Sequence, residues 1–219
     1  MKKVFIIGGA GKVGRRLAQK LSEQGNQPRS LYRHPEQEEP LRALGAIPVM
    51  GSLLELDAQG LAALFSGSDI VVFTAGAGGK GGQDMTRAID GHGLELAVEA
   101  AKLAGIKRFI LVSAFPESFR AKGMPESFEN YMYVKKLADV YLAETDLDWV
   151  ILRPGTLLDE PGQGKVRAGL AIPYGDVSRD DLAWTLAEII NRPAISRVII
   201  ELTAGNEAIS TAVMHMEKP

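Results

Sequence analysis

The stretch VFIIGGAGKVGRRLAQ, residues 4–19, joins a short apolar run to a glycine-rich turn and the start of a helical pattern. Gly8, Gly11 and Gly14 follow the apolar run at intervals of three. In such a turn one glycine lets the chain reverse sharply, another lets backbone N–H groups approach a pyrophosphate, and a third lets the helix pack closely. A tight turn with no ligand also favours glycine, so the motif alone leaves two interpretations open.

The rest of the chain supplies the context for this motif, because apolar runs alternate with segments of helical periodicity. The predicted strands are 3–7, 29–32, 46–50, 69–74, 108–113, 149–153 and 197–202, and the predicted helices are about 12–24, 56–65, 84–104, 128–145 and 179–191. This order predicts an α/β fold, a Rossmann-type doubly wound parallel sheet with right-handed crossovers. We expect one NAD(P)-binding domain over residues 1–219, with a small C-terminal substrate-side region.

Composition excludes several classes of function. The chain has no cysteine and only three histidines, which are far apart in sequence, so disulfides, a thiolate nucleophile and a metal site are not expected. A formal net charge of −2 argues against nucleic acid as a partner. The N-terminal apolar run of four residues is too short for a signal peptide or a membrane span. We therefore expect a cytoplasmic protein with no membrane partner.

Two glycine- and proline-rich segments mark the predicted binding edge of the sheet. AGAGGKGGQ (75–83) and AFPESFRAKGMPESF (114–128) each follow a predicted strand. In open α/β sheets the ligand crevice lies at the carboxyl ends of the strands. We expect these two loops to border it.

The end of the second predicted strand indicates which dinucleotide is bound. An acidic residue there would bind a ribose 2′-hydroxyl, but LYRHPEQ (31–37) places Arg33 and His34 at this point. A guanidinium pairs well with a 2′-phosphate, and Lys12 in the glycine turn could add a second positive charge. The sequence therefore favours NADP(H) over NAD(H). The alternative is that Arg33 is an ordinary surface arginine.

Five segments, taken in order, carry a resemblance to a known family. They are GGAGKVG (8–14), LYRHPEQ (31–37), AIDGHGLELAVEAAKLAGIKRFILVS (88–113), YMYVKKLADVYL (131–142) and LDWVILRPGTLL (147–158). Together they resemble the atypical short-chain dehydrogenase/reductase branch. Within this branch, the chain most resembles the single-domain NAD(P)H-binding proteins related to biliverdin/flavin reductases and to nitrogen-repression regulators.

The resemblance implies a Rossmann-type core, bound NADP(H) and often a reductase or epimerase-like activity. It places Gly8, Gly11 and Gly14 at the pyrophosphate, Arg33 at the 2′-phosphate, Thr74, Ala75 and Gly76 along the adenosine side, and Ser113, Lys135 and Pro154 at the nicotinamide end. The remaining predicted cofactor contacts are Lys12, Val13, His34, Ser52 and Leu53. Ser52 stands where the family often carries an aspartate near the adenine.

The predicted catalytic residues are Tyr131, Lys135 and Ser113. Tyr131 and Lys135 are four residues apart in a predicted helix and so share a face. An ammonium beside a phenol lowers the phenol pKa from about 10, which would help Tyr131 to protonate a carbonyl oxygen as hydride arrives. The alternative is that Tyr131 only packs. Ala114 departs from the family, which commonly has a second serine there.

Three functions remain open at this stage. The favoured one is an NADPH-dependent reductase of a small carbonyl, quinone or flavin-like acceptor. The second is a catalytically weak regulatory protein that senses NADPH and engages a protein partner. The third is a nucleotide-sugar epimerase or dehydratase, which is less favoured because only about 65 residues follow Pro154. The sequence does not identify the acceptor, the direction of reaction or the oligomeric state.

Overall fold

The computed structural model describes residues 1–116, 118 and 123–217. The strands are β1 (Lys3–Ile7), β2 (Gln27–Tyr32), β3 (Ile47–Met50), β4 (Ile70–Phe73), β5 (Arg108–Val112), β6 (Asp148–Pro154), β7 (Thr156–Leu158), β8 (Lys165–Gly169), β9 (Asp176–Ser178), β10 (Val198–Ala204) and β11 (Glu207–Ala208). The helices are α1 (Lys12–Glu23), α2 (Glu38–Ala43), α3 (Ala58–Phe65), α4 (Gly82–Thr86), α5 (Gly93–Leu103), α6 (Glu126–Ala143), α7 (Arg179–Asn191) and α8 (Ile209–Met214). A 3₁₀ turn (Pro35–Gln37) precedes α2, and a π-helical turn (Arg87–His92) joins α4 to α5.

Nine of the described strands form one large sheet in the order β11-β8-β10-β6-β5-β4-β1-β2-β3, and β7 and β9 pair in a separate two-stranded parallel sheet. The strands from β3 to β10 in this order run parallel, whereas β8 is antiparallel to β10 and β11 is antiparallel to β8. The strand order reverses between β1 and β4, and such a switch point is where ligands bind in open α/β sheets. The predicted Rossmann-type fold is therefore confirmed.

Both faces of the sheet are covered, which explains why its central strands are apolar throughout. In β1, Val4 and Ile6 pack on one side with residues of α1, α7 and α8, while Phe5 and Ile7 pack on the other with residues of α3, α5 and α6. All four of these side chains are fully buried. The glycine turn at the end of β1 thus follows a strand whose side chains are fully buried on both faces of the sheet.

The structure also departs from the sequence prediction. The helix predicted over 84–104 begins at Gly82 and contains the π-helical turn. The short elements α2, β7, β8, β9, β11 and α8 were not predicted, since two to six residues carry little periodicity. Residues 117 and 119–122 of the predicted crevice loop, and 218–219 of the predicted domain, lie outside the described residues. None of the described helices is long and apolar enough to cross a membrane.

Candidate functional site

Two glycines of the opening motif are required by the fold. Gly8 ends β1 with a φ of +82°, and a Cβ there would lie 2.6 Å from the backbone nitrogen of Ala75. A Cβ on Gly14 would overlap the carbonyl oxygen of Gly8, because α1 packs directly against the turn. Both positions therefore need glycine whether or not a ligand binds.

Gly11 differs from the other two. Its φ of −74° is open to any residue, and a Cβ there would meet only the Gly8 carbonyl oxygen, at 3.1 Å. Gly11 caps α1 without a side-chain hydrogen bond, and it lines a cleft. A small residue at this point leaves the N–H groups of the first helical turn accessible to an anion. This is the arrangement that a bound pyrophosphate needs.

The cleft next to Gly11 has a volume of about 370 Å³ and lies at the carboxyl ends of β1 to β4. The predicted cofactor residues that line it are Gly8, Gly11, Arg33, Ser52, Leu53, Thr74, Ala75 and Gly76. Thr74 connects the two sides of the switch point, since its N–H and its hydroxyl both donate to the Ile7 carbonyl oxygen, at 2.9 and 3.0 Å. The carboxyl ends of β1 and β4 are therefore fixed to each other where they border the cleft.

Positive charge reaches the cleft from two segments, the end of β2 and the loop after β4. Among the described residues that line it, Arg33 and Lys80 are basic and none is acidic. The turn that carries Arg33 is fixed by Gln37, whose side-chain oxygen accepts from the backbone N–H groups of Arg33 and His34, both at 3.1 Å. Lys80 was missed by the sequence prediction, although a lysine inside the glycine-rich segment 75–83 was the available signal.

Several predicted cofactor residues lie elsewhere. The Lys12 ammonium is paired with Asp159 rather than directed into the cleft. Val13 is packed in the core on the α1 side. His34 is exposed and Pro154 is buried at the end of β6, and neither lines the cleft. The structure thus gives Lys12 no place beside Arg33.

A second, smaller cavity of about 210 Å³ lies near the end of β5. It is lined by Ala114, Pro116, Met132, Lys135, Lys136, Asp139 and Arg153. Lys135 is 4% exposed; its ammonium donates to the Val112 carbonyl oxygen at 3.0 Å and lies 3.7 Å from Asp90. Asp90 in turn accepts from the N–H of Ala77, a cleft residue, at 2.9 Å. The buried ion pair of Lys135 and Asp90 therefore connects the wall of the cleft with that of the small cavity.

Tyr131 lies on α6 one turn before Lys135, as predicted. Its phenol does not have the lowered pKa that the sequence suggested. Burial raises the pKa of Tyr131, and although the Lys135 ammonium opposes this shift, the Asp90 and Asp139 carboxylates reinforce it. The prediction of a net decrease is wrong because desolvation of the phenolate outweighs the nearby ammonium. The catalytic role of Tyr131 stays a prediction.

The sequence prediction missed a buried carboxyl group, that of Asp139. It is 4% exposed, and its Oδ2 accepts from Nε and Nη2 of Arg153, both at 2.9 Å. Burial raises the pKa of Asp139; the Ser113 hydroxyl, Arg153 and Lys135 work against the shift. Within the described chain, neither Asp139 Oδ1 nor Ser113 Oγ has a hydrogen-bond partner of good geometry. The available signal was the four-residue spacing from Lys135, which places both on one helix face.

The fold and the cleft agree with what comparison with known proteins shows. The model of a family described as NAD(P)H-binding matches residues 8–193. The chain belongs to this NAD(P)H-binding family. The predicted resemblance to atypical short-chain dehydrogenases/reductases is thereby confirmed, and so is binding of a nicotinamide dinucleotide, without a choice between NADP(H) and NAD(H).

Several known proteins and solved structures resemble the chain along most of its length. YhfK of Bacillus subtilis, named as an uncharacterized sugar epimerase, is 37% identical over 96% of this chain and 98% of its own. A Bacillus halodurans protein assigned by name to the NAD-dependent epimerases/dehydratases has 32% identity and a TM-score of 0.90, covering 98% of this chain and all of its own. ChuY of Escherichia coli O157:H7, named an anaerobilin reductase, has 25% identity and a TM-score of 0.78, covering 94% and 98%.

Proposed function

We propose that this protein is an NADP(H)-dependent oxidoreductase that reduces a small carbonyl, quinone or flavin-like acceptor. The observation that carries the proposal is the cleft at the switch point, where the described lining contains Arg33 and Lys80 and no acidic side chain. A carboxylate at the end of β2 would favour the 2′-hydroxyl of NAD(H), whereas a guanidinium and an ammonium favour the 2′-phosphate of NADP(H).

The residues of the cleft fit this cofactor. Gly11 and the first turn of α1 would hold the pyrophosphate, Arg33 and Lys80 would pair with the 2′-phosphate, and the segment from Ser52 to Leu53 would border the adenine. Lys135 and Ser113 would lie toward the nicotinamide. When bound, the cofactor supplies a hydride to the acceptor.

The volume of the small cavity favours a small acceptor. Its volume of about 210 Å³ is below the roughly 300–1,000 Å³ of pockets that enclose a drug-sized ligand. It suits a small carbonyl compound or one edge of a flat conjugated ring. The name of ChuY, an anaerobilin reductase, points to the same class of reaction.

A second candidate, a nucleotide-sugar epimerase, is favoured by the names of YhfK and of the Bacillus halodurans protein. The two functions differ in a measurable way. A reductase consumes NADPH in proportion to product, whereas an epimerase returns its cofactor unchanged after each turnover.

The test is a cofactor-oxidation assay at 340 nm with FMN, menadione and pyridine-4-carboxaldehyde as acceptors. We expect NADPH to be oxidised in step with reduction of at least one acceptor, and NADH to be oxidised more slowly. Epimerisation of UDP-glucose without net cofactor consumption would replace the proposal with the epimerase. Tight NADPH binding without turnover of any compound would favour the sensor of NADPH.

A further inference from the structure

We infer that Asp139 is a catalytic proton donor that acts, beside Ser113, on an oxygen atom of the acceptor bound in the small cavity. This inference rests on the proposed reductase function and assigns the proton in that reaction to a residue outside the predicted tyrosine–lysine pair.

The geometry of the carboxyl group carries the inference. Asp139 lines the cavity on α6. Arg153 bonds to Oδ2 alone, so Oδ1 has no hydrogen-bond partner of good geometry among the described residues, although the neighbouring Ser113 hydroxyl opposes the rise in the Asp139 pKa. Ser113 Oγ, at the end of β5, likewise has no partner of good geometry there, and both side chains are at least nine-tenths buried. Buried polar atoms are nearly always hydrogen-bonded. Asp139 lines the cavity and Ser113 lies behind it, next to Ala114 of the lining, so a ligand oxygen in the cavity would complete the hydrogen bonding of Asp139 Oδ1.

The other polar groups of the cavity are less suited to donate a proton. The Lys135 ammonium is engaged by the Val112 carbonyl oxygen and by Asp90. Tyr131 does not line the cavity, and the pKa of its phenol is raised further from neutrality. Burial raises the pKa of Asp139 toward the pH at which a general acid is effective.

Charged and titratable groups lie around Asp139 on three elements. Arg153 is on β6, Lys135, Lys136 and Tyr131 are on α6 itself, and Asp90 of the π-helical turn lies beyond Lys135. The cations favour the carboxylate that is left after proton transfer. Burial favours the acid that must be present before it. The site can therefore hold either form during one turnover.

The proposed step balances as follows. The acceptor carbon receives two electrons and a hydrogen as the hydride that the proposed function supplies, and the π bond of the carbonyl group breaks toward oxygen. The O–H bond of Asp139 breaks, its electron pair stays on the carboxylate, and the proton forms a new O–H bond on the acceptor. A proton from solvent restores the acid.

The first test needs no cofactor. Protein labelled with ¹³C at aspartate side-chain carboxyls is titrated by NMR, and the Asp139 signal is assigned by its loss in Asp139→Asn. We expect this signal to titrate above the ordinary aspartate range. The control is Asp148→Asn, which removes the carboxylate paired with buried Arg108 at the amino end of the sheet and should leave the Asp139 titration unchanged. An Asp139 that titrates at or below the ordinary range would overturn the inference.

The second test is kinetic. Asp139→Asn should lower kcat about 10²-fold or more while the Kd for NADPH stays unchanged, and Asp148→Asn should retain kcat. The wild-type kcat should fall as pH rises through the Asp139 pKa, and the variant profile should be flat. If Asp139→Asn fails to fold because Arg153 loses its counter-ion, the double variant Asp139→Asn/Arg153→Gln removes both charges and should show the same loss.

The two proposals fail in different ways. If wild-type protein does not bind NADPH, the proposed function fails, and the cofactor-free titration still decides the state of Asp139. If NADPH is oxidised by wild type and by Asp139→Asn at equal rates, the reductase stands and Asp139 is not the donor.

Discussion

At the scale of single residues, the three glycines of one motif have different structural roles. Gly8 and Gly14 are required because a side chain would collide with backbone atoms, whereas Gly11 has an ordinary φ and a Cβ there would meet only the Gly8 carbonyl oxygen, at 3.1 Å. Their even spacing in the sequence does not reveal this difference, because it depends on where Ala75 and the Gly8 carbonyl oxygen lie in the fold. The motif predicted the turn, and the structure leaves Gly11 as the glycine that the fold itself does not require and that lines the cleft.

This assignment predicts opposite effects at two positions. Gly11→Asp introduces a favourable N-cap and a favourable helix dipole interaction, so the free energy of unfolding should stay unchanged or rise by up to about 1 kcal/mol. NADPH binding should be lost, because the carboxylate would face the pyrophosphate. Gly14→Ala should instead lower the free energy of unfolding by about 1–3 kcal/mol, because the added methyl group overpacks the contact between α1 and the turn.

Urea unfolding and thermal melts with and without NADPH measure both effects. A melting temperature of Gly11→Asp that NADPH raises as much as it raises that of wild type would show that Gly11 does not contact the cofactor.

At the scale of elements, continuous apolar runs predicted the parallel strands because helices cover both faces of the sheet. The π-helical turn from Arg87 to His92 could not be predicted, since one extra residue in a turn hardly disturbs helical periodicity. This turn places Asp90 between Ala77 and Lys135. The link between the cleft and the small cavity therefore had no sequence signal.

The contact between α5 and α6 makes a testable contribution to stability. Tyr141 on α6 donates to the Glu99 carboxylate on α5 at 2.8 Å. Burial, reinforced by this hydrogen bond and the Glu99 charge, raises the pKa of Tyr141 to about 12. Removing the hydroxyl in Tyr141→Phe should cost about 0.5–1.5 kcal/mol at pH 8.

The pH dependence of this contact has a definite sign. The unfolded phenol loses its proton near pH 10, whereas the folded phenol keeps it until about pH 12. The folded state therefore binds more protons over this window, and wild-type stability should fall as pH rises through it. Urea unfolding at pH 8, 10 and 11 should show the advantage of wild type over Tyr141→Phe shrinking; a constant difference would mean that Tyr141 has an ordinary pKa.

At the scale of the whole molecule, the cleft combines residues that the sequence could locate with residues that it could not. Arg33 follows the second strand, so its place in the cleft follows from local order. Lys80 reaches the same cleft only because β4 lies next to β1, and Asp139 meets Arg153 only because α6 packs on β6. Such contacts depend on tertiary structure, and sequence periodicity alone carries no information about them.

The central claim is that this cleft selects NADP(H). The most direct measurement is calorimetric titration of wild type, Arg33→Asp and Lys107→Asp with NADPH and with NADH. Lys107 lies at the amino edge of the sheet, before β5, and its replacement changes the net charge equally. A charge-assisted contact contributes about 1.5–3 kcal/mol, so wild type and Lys107→Asp should bind NADPH at least about tenfold more tightly than NADH. Arg33→Asp loses this contact and adds repulsion, so it should lose the preference while its NADH affinity stays nearly constant. Equal affinity of wild type for the two cofactors, or an unchanged preference in Arg33→Asp, would contradict the account.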